Sequence, residues 1–346
     1  ADFETGVGFR IGGAPTFPRA MAFGAAGDDR LAFEAGRITA LEARAVCIHV
    51  DFAPVADVNN NPRNPVINTR SFGEDPAMVA RLAAAYVRGL TDGGMIATLK
   101  HFPGHGDTDV DSHKSLPSLD FSKERLDSLE LYPFKRMIAE DVSSIMIGHL
   151  NVPALESRVN FPSSLSKAIV TDLLQEKLNY KGLVFTDALN MRGVADYDEP
   201  GEIDLAAFQA GNDILLISED VPKAAEKIKQ AYLANEISEE RLAKSVKKIL
   251  SAKYKVGLNN YQPIDTNYLI EDLNSLHNDL LYEELMENAI TVIKNNKGVL
   301  PVRDLQKQKV AYVNLGDSLT ETSFLQQLKK YTKVDHVKAE HLNDLL

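Results

Sequence analysis

The chain has 346 residues, 44% of them hydrophobic and 25% charged, which is the composition of an ordinary globular protein with room for one large domain and part of another. Its 38 basic and 49 acidic side chains give a net charge of −11, which argues against nucleic acid or an anionic membrane as its main partner. No apolar run approaches the roughly 20 residues that span a bilayer, so no membrane-spanning segment is predicted. The single cysteine, Cys47, excludes an internal disulfide and a cysteine-based zinc site, and its apolar neighbours predict a small buried side chain.

Short apolar strands alternate with amphipathic helices along the first 258 residues. This rhythm predicts a parallel sheet with helices outside it. The strands are apolar on both faces and bounded by Gly or Pro, which favours a closed (β/α)8 barrel. In chain order we predict helix 28–44, strand 46–52, helix 76–92, strand 96–99, helix 121–140, strand 144–148, helix 163–178, strand 182–186, helix 201–210, strand 213–217, and helices 221–234 and 238–254.

Only about five complete strands are readable, whereas such a barrel has eight. Residues 2–6 read like the end of a strand, so we expect the first two strands and most of the third to lie before residue 1. The barrel is then predicted to occupy residues 1–258 and a linker residues 259–280. Residues 281–346 are predicted to begin a second α/β domain that is unfinished at residue 346. Its predicted elements are helix 282–289, strands 290–294 and 310–314, and helix 318–331.

Residues 100–113, directly after strand 96–99, hold three histidines, three aspartates and two glycines. These side chains suit a metal, but their spacing matches neither a closed zinc site nor an EF-hand loop, so we predict no metal and no loss of activity with EDTA. Gly104-His105-Gly106 lacks the following GK[ST] of a phosphate-binding P-loop. We expect His105 to shape the loop, whereas His149, after strand 144–148, either lines a pocket or fills the barrel mouth.

Glycoside chemistry is the third interpretation. Retaining hydrolysis needs a carboxylate nucleophile and an acid/base group near the leaving oxygen. Asp187 follows strand 182–186, at the end where barrels place their active sites. Asp111 and His113 lie two residues apart, so an extended segment puts both on one side. We therefore predict Asp187 as nucleophile and His113 as acid/base, with Asp111 orienting and charging its ring.

Two long motifs resemble those of a known family. The run from Lys100 to Gly106, KHFPGHG, followed by Asp111-Ser112-His113, resembles the signature of the β-N-acetylglucosaminidases of glycoside hydrolase family 3, the NagZ type. Residues 186–191, TDALNM, resemble the family's nucleophile segment. Residues 2–6 resemble its D-x-E-G-G stretch, with Thr5 in place of a glycine. Residues 52–58, 70–73 and 210–213 also match, and 287–295 resemble the start of its αβα sandwich domain.

The resemblance implies a (β/α)8-type barrel that removes terminal β-linked N-acetylglucosamine from peptidoglycan (muropeptide) fragments. It implies that Asp187 forms a glycosyl-enzyme intermediate, that His113 with Asp111 transfers the proton, and that no cofactor is needed. It favours a periplasmic or secreted location over the cytoplasm. The family's sugar-hydroxyl positions correspond here to Asp2, Arg10, Arg70, Lys100 and His101.

Other functions stay open. A family 3 β-glucosidase or β-xylosidase is possible, although those usually take their acid/base from the second domain. A phosphorylase is possible because a neutral histidine repels phosphate less than a carboxylate does. A non-catalytic muropeptide-binding module is a third alternative, but the presence of both Asp187 and the Asp111–His113 pair argues against it. We expect residues 107–113 to be more mobile than the strand before them and to close over substrate.

Overall fold

The computed structural model describes residues 1–315 and 322–339. The chain forms two compact units, Ala1–Ile290 and Thr291–Leu346. In the part of the chain that the structure describes, no helix is both long and apolar enough to cross a membrane. The predicted division into residues 1–258, 259–280 and 281–346 stays a prediction.

A four-stranded parallel sheet forms the centre of the first unit. Its strands are β1 (Val50–Asp51), β2 (Ile96–Phe102), β3 (Ser144–Ile147) and β4 (Leu183–Thr186), in spatial order β1-β2-β3-β4. Every residue of β2, β3 and β4 is buried, as expected for a parallel sheet covered on both faces. Because the strands are parallel, their carboxyl ends meet at one edge of the sheet, and this edge carries the polar residues singled out in the sequence.

Helices connect the strands. Aspartate or serine caps the amino ends of most of the long ones, and the cap side chain accepts a hydrogen bond from a backbone N–H, as with Asp75 and Met78 at 3.0 Å. The helices of the first unit are α1 (Ala20–Ala26), α2 (Asp29–Ala45), α3 (Pro76–Asp92), α4 (Lys123–Ser128), α5 (Tyr132–Ile138), a π-helix (Ala168–Lys177), α6 (Arg192–Ala195), α7 (Glu202–Ala210), α8 (Val221–Leu233), α9 (Glu239–Lys255), α10 (Leu269–Leu273) and α11 (Leu276–Ala289).

Two glycines set the distance between α2 and α3. A Cβ on Gly36 would lie 2.3 Å from the Tyr86 carbonyl oxygen, and a Cβ on Gly89 would lie 2.0 Å from the Phe33 carbonyl oxygen. Any larger residue at either position would therefore push the helices apart. Their close packing buries the apolar stripes of both helices in the main core.

The strand predicted over 46–52 is much shorter in the structure. Helix α2 continues to Ala45, Cys47 turns the chain with φ 57°, and only Val50–Asp51 pair with β2. Cys47 is half-buried, so the prediction of a buried side chain was wrong. The apolar character of residues 46–52 did not distinguish the residues that end α2 from those that form the strand.

Two predicted helices are also interrupted. The helix predicted over 121–140 divides into α4 and α5, and Pro133 lies in the first turn of α5, where its missing N–H costs nothing. The helix predicted over 163–178 begins as a separate 3-10 turn at Ser163–Leu165 before the π-helix.

The strand predicted over 213–217 is reduced to one parallel bridge between Ile214 and Phe185. Further along this segment, the Leu216 N–H donates to the Thr186 hydroxyl at 2.9 Å rather than to a backbone carbonyl. Ile217 then leaves the strand direction with φ 47°.

The second unit contains β5 (Val310–Leu315) and β6 (Val334–Ala339), which pair in parallel, and α12 (Ser323–Lys329). The strand predicted over 290–294 was wrong, because these residues form no strand after the end of α11 and Ile293 is 96% exposed. The helix predicted over 318–331 is seen as α12, and its predicted first residues, 318–321, lie outside the described residues.

Candidate active site

A cavity of about 340 Å³ opens at the carboxyl edge of the sheet. Asp187 reaches it directly after β4, and Lys100 and His101 reach it from the end of β2. Asp111, the remaining predicted site residue, does not line the cavity but binds His113, which does. The seven predicted residues in the lining are Asp2, Arg10, Arg70, Lys100, His101, His113 and Asp187.

Asp187 is held as an ionised carboxylate. Its Oδ1 accepts a hydrogen bond from the Ala188 N–H at 2.8 Å, and its own N–H donates to the Ile147 carbonyl at 2.8 Å. Burial on its own would raise the pKa of Asp187, but the imidazoles of His101 and His149 and the Ala188 N–H outweigh it and lower that pKa below its ordinary value. A charged, oriented oxygen at a strand end is what a carboxylate nucleophile requires.

His113 and Asp111 form the predicted pair. The Asp111 Oδ1 lies 2.8 Å from His113 Nδ1 and also accepts the His113 backbone N–H at 2.9 Å. Partial burial opposes ionisation of Asp111, but the N–H and ring of His113 lower its pKa overall. The His113 side chain is 64% exposed. With Nδ1 engaged by the carboxylate, Nε2 is the nitrogen left to exchange a proton with a ligand or with water.

Charged side chains of alternating sign form another part of the cavity lining. The Lys100 ammonium lies 2.8 Å from both Asp2 Oδ1 and Glu4 Oε1 and is almost completely buried. Arg70 forms a two-pronged contact with Glu4 at 2.7 and 2.9 Å, and Arg10 binds Asp2 at 2.8 Å. Burial opposes the charge on Glu4, but Lys100 and Arg70 hold its pKa far below the ordinary value. Sequence reasoning missed Glu4, although it lies two residues from Asp2 in a quoted motif.

Asp57 fixes His101. Its Oδ2 lies 2.7 Å from His101 Nδ1, and its Oδ1 accepts the His105 N–H at 2.7 Å. Asp57 is fully buried, which opposes ionisation, yet His101 together with the His105 N–H lowers its pKa. The His101 ring is thereby left with Nε2 for the cavity that it lines. The sequence showed Asp57 only as a polar residue near a strand end, with no sign of its partner.

The two remaining histidines of the region have different positions. His105 lines the cavity and is buried, and its ring nitrogens contact Thr108 Oγ1 at 2.8 Å and Ser112 Oγ at 3.1 Å. Burial and the nearby His101 lower its pKa to about 4, so it is neutral at pH 7 and shapes the loop as expected. His149 is buried outside the lining, and its Nε2 lies 3.0 Å from the carbonyl oxygen of Ala188, the residue that follows Asp187.

The first half of the loop is tied to the loop over 57–76. Asn64 donates to the His105 and Gly106 carbonyls at 2.8 and 3.0 Å, and a Cβ on Gly106 would lie 1.8 Å from the Val58 carbonyl oxygen. Asp107 binds Arg125 at 2.8 Å. Arg63 of the same loop binds Asp109 at 3.2 Å, so these contacts continue beyond Asp107, and the mobility of 107–113 stays a prediction.

Retaining sugar hydrolysis uses a carboxylate at the anomeric carbon and a proton donor at the leaving oxygen. The cavity offers Asp187 for the first and His113 for the second, beside charged groups suited to sugar hydroxyls. A carboxylate at a strand end and a histidine on the neighbouring loop, in one cavity of an α/β scaffold, are the groups that a glycoside hydrolase needs.

The chain belongs to glycosyl hydrolase family 3. The model of this family's N-terminal domain matches residues 1–252. The β-hexosaminidase A of Pseudoalteromonas piscicida is 36% identical over 311 residues, which cover 84% of this chain and 51% of that protein. The structure of a family 3 β-N-acetylglucosaminidase from Paenibacillus sp. str. FPU-7 is 34% identical, with a TM-score of 0.83, over 97% of this chain and 66% of that one.

The β-glucoside phosphorylase BglX is also similar, at 25% identity and a TM-score of 0.86, over 99% of this chain and 65% of that one. This chain spans about half the length of β-hexosaminidase A. The family assignment and these structural likenesses confirm the predicted barrel-type α/β fold and the resemblance from which it was inferred.

Proposed function

We propose that the protein is a retaining exo-β-N-acetylglucosaminidase that removes terminal β-linked N-acetylglucosamine from muropeptide fragments of peptidoglycan. The observation that carries the proposal is that Asp187 and His113 line the same cavity. The charged side chains around Lys100 line it as well. The names of β-hexosaminidase A and of the Paenibacillus enzyme support the sugar specificity. A cavity of about 340 Å³ lies at the small end of ligand sites, which suits release of one terminal sugar.

In the first step the Asp187 carboxylate attacks the anomeric carbon, and the bond to the leaving oxygen breaks. The protonated His113 gives its Nε2 proton to that oxygen, so the leaving group departs as a neutral alcohol. Asp111, bound to His113 Nδ1 at 2.8 Å, stabilises the protonated ring that donates this proton. The product is a covalent glycosyl-enzyme with inverted configuration.

In the second step neutral His113 takes a proton from water as the water oxygen attacks the anomeric carbon. The bond to Asp187 breaks, the carboxylate is regenerated, and the second inversion gives net retention. Asp2, Arg70, Lys100 and His101 hold the sugar ring during both steps, because charged hydrogen bonds to its hydroxyls orient the anomeric carbon towards Asp187.

The proposal is tested with an aryl β-N-acetylglucosaminide and the matching glucoside as alternative substrates. We expect the N-acetylglucosaminide to have the higher kcat/KM and its turnover to be abolished by Asp187→Ala. His113→Ala should slow proton transfer most for substrates with poor leaving groups. Turnover that survives Asp187→Ala would contradict the assignment, and binding of muropeptides without turnover would indicate a non-catalytic module.

A phosphorylase is the second candidate, because the acid/base is a histidine and the similar BglX structure is named a β-glucoside phosphorylase. A neutral imidazole repels an incoming phosphate less than a carboxylate would. Release of phosphorylated sugar that depends on added phosphate would favour this function. Hydrolysis at the same rate in phosphate-free buffer, and with EDTA present, is the expected result for the hydrolase.

A further inference from the structure

One wall of the cavity mouth is built by the segment from Gly6 to Arg19. Its two ends are joined by a hydrogen bond from the Phe17 N–H to the Thr5 carbonyl at 2.8 Å, and the Gly8 N–H donates to the Pro15 carbonyl at 3.1 Å. A Cβ on Gly8 would lie 2.4 Å from the Ala14 carbonyl oxygen, so the two sides of the segment are in close contact. The segment is therefore a fixed support for the side chains that it carries.

This segment presents one aromatic ring and two guanidinium groups to the cavity, those of Phe9, Arg10 and Arg19, here called the arginine rim. Phe9 is 40% exposed and lines the cavity. The Arg10 guanidinium lies 4.7 Å from the centroid of the Phe9 ring and binds Asp2 at 2.8 Å. Apart from Arg10, which the family resemblance places at the sugar, the proposed mechanism gives these side chains no role.

Arg19 is exposed and, among residues 1–315 and 322–339, its side chain has no ion-pair partner. The chain as a whole carries a net charge of −11, so an uncompensated cation at the mouth of an active-site cavity is not explained by general surface composition. Asp2 connects the arginine rim to the charged side chains around Lys100, because it binds both Arg10 and Lys100. The rim lines the same cavity as Lys100 and Asp187, and because its residues are exposed whereas Lys100 is buried, the rim lies at the open side of that cavity.

We propose that the arginine rim is the subsite for the leaving-group sugar and that Arg19, supported by Arg10, recognises a carboxylate on that sugar. The ring of Phe9 offers an apolar face for the sugar, and planar guanidinium groups match carboxylates with paired hydrogen bonds. N-acetylmuramic acid carries such a carboxylate on its lactyl ether, whereas N-acetylglucosamine is neutral. This inference rests on the proposed hydrolase function and deepens it by assigning the residues that select an acidic leaving group.

The test compares two disaccharides with the same terminal N-acetylglucosamine, one linked to N-acetylmuramic acid and one linked to a second N-acetylglucosamine. The purified protein is expected to have the higher kcat/KM for the acidic disaccharide, and added salt should reduce this preference. Arg19→Ala should lower the ratio of the two kcat/KM values by on the order of tenfold, the effect of one charge-assisted contact. Arg19→Lys should restore part of the ratio, and Arg19→Glu should lower it further.

The matched control is Arg88→Ala, because Arg88 is exposed and bound to Glu140, away from the cavity, and its removal should leave the ratio unchanged. A ratio that is the same in the wild type and in all Arg19 variants would overturn the inference alone. A wild-type protein that cleaves neither disaccharide would overturn the proposed function and the inference with it. If inorganic phosphate accelerates turnover and Arg19→Ala removes the acceleration, the rim binds phosphate and the carboxylate assignment is wrong.

Discussion

The change Asp57→Asn is expected to damage both stability and catalysis, although Asp57 itself makes no contact with the cavity. Its two oxygens bind His101 Nδ1 at 2.7 Å, the His105 N–H at 2.7 Å and the His101 N–H at 3.2 Å. Asparagine has the same shape but only one accepting oxygen. Its NH₂ group must therefore face either a backbone N–H donor or the His101 ring.

The magnitude follows from these contacts. Hydrogen bonds to a buried charged group contribute about 1.5–3 kcal/mol each, and a neutral replacement keeps about 1 kcal/mol. Two such contacts are weakened by about 0.5–2 kcal/mol each, and relief of the buried charge offsets part of the loss. We expect the free energy of unfolding to fall by about 1–3 kcal/mol. If the NH₂ faces His101 Nδ1, the ring proton moves to Nε2, so the ring presents the opposite hydrogen-bonding character to the cavity, and kcat/KM should fall at least about 100-fold.

Urea unfolding and the kinetics of an aryl N-acetylglucosaminide measure the two effects. The comparison variant is Asp187→Asn, which keeps Oδ1 as acceptor for the Ala188 N–H. It should abolish turnover while costing about 1 kcal/mol or less of stability. An Asp57→Asn protein with kcat/KM within twofold of the wild type, or with unchanged stability, would refute the role given to Asp57.

Two further changes test burial and close packing. Burial raises the pKa of Glu42 to about 7, despite a hydrogen bond from Asn278. Its pKa in the unfolded chain is about 4.5, so the buried carboxyl lowers the free energy of unfolding as the pH rises from about 4.5 to about 7. Glu42→Gln should raise the free energy of unfolding by about 1–3 kcal/mol at pH 8 and leave it nearly unchanged at about pH 4, and equal effects at both values would contradict this. Gly106→Ala places a Cβ 1.8 Å from a carbonyl oxygen and should displace the catalytic loop, lowering kcat/KM by at least about tenfold in steady-state assays. Gly12→Ala, whose Cβ meets nothing within 4 Å, is the control for the effect of an added methyl group on kcat/KM.

The site residues that the sequence revealed are those whose signal is local. Asp187 follows directly on a buried strand, and Asp111 and His113 are two residues apart. Glu4 and Asp57 were missed because their partners are distant in sequence, 66 residues away for Arg70 and 44 for His101. Arg70 lies in a 3-10 turn, Asn68–Arg70, and Asp57 in the loop after β1, so only the tertiary fold brings these pairs together, and no short pattern encodes it.

The errors in the fold have a similar origin. Apolar spacing continues from Leu126 to Phe134 across the break between α4 and α5, because both short helices pack on the same core. The apolar run over 213–217 reads as a strand, yet whether it pairs depends on its neighbour, and the Thr186 hydroxyl takes the place of a backbone partner. Periodicity reports which side chains are buried and does not report which backbone groups are paired.

The same chemical pair, a carboxylate bound to a histidine Nδ1, occurs twice in this region, in two different environments. In the Asp57–His101 pair the carboxylate is fully buried and also binds backbone N–H groups, so the group that holds the ring is itself fixed. In the Asp111–His113 pair the backbone N–H and the ring that contact the carboxylate both belong to His113, and the ring is 64% exposed. In the proposed mechanism the first pair holds a sugar in place through two chemical steps. The second pair, with its exposed ring, gives up a proton and recovers one from water, which is what an acid/base group must do in each turnover.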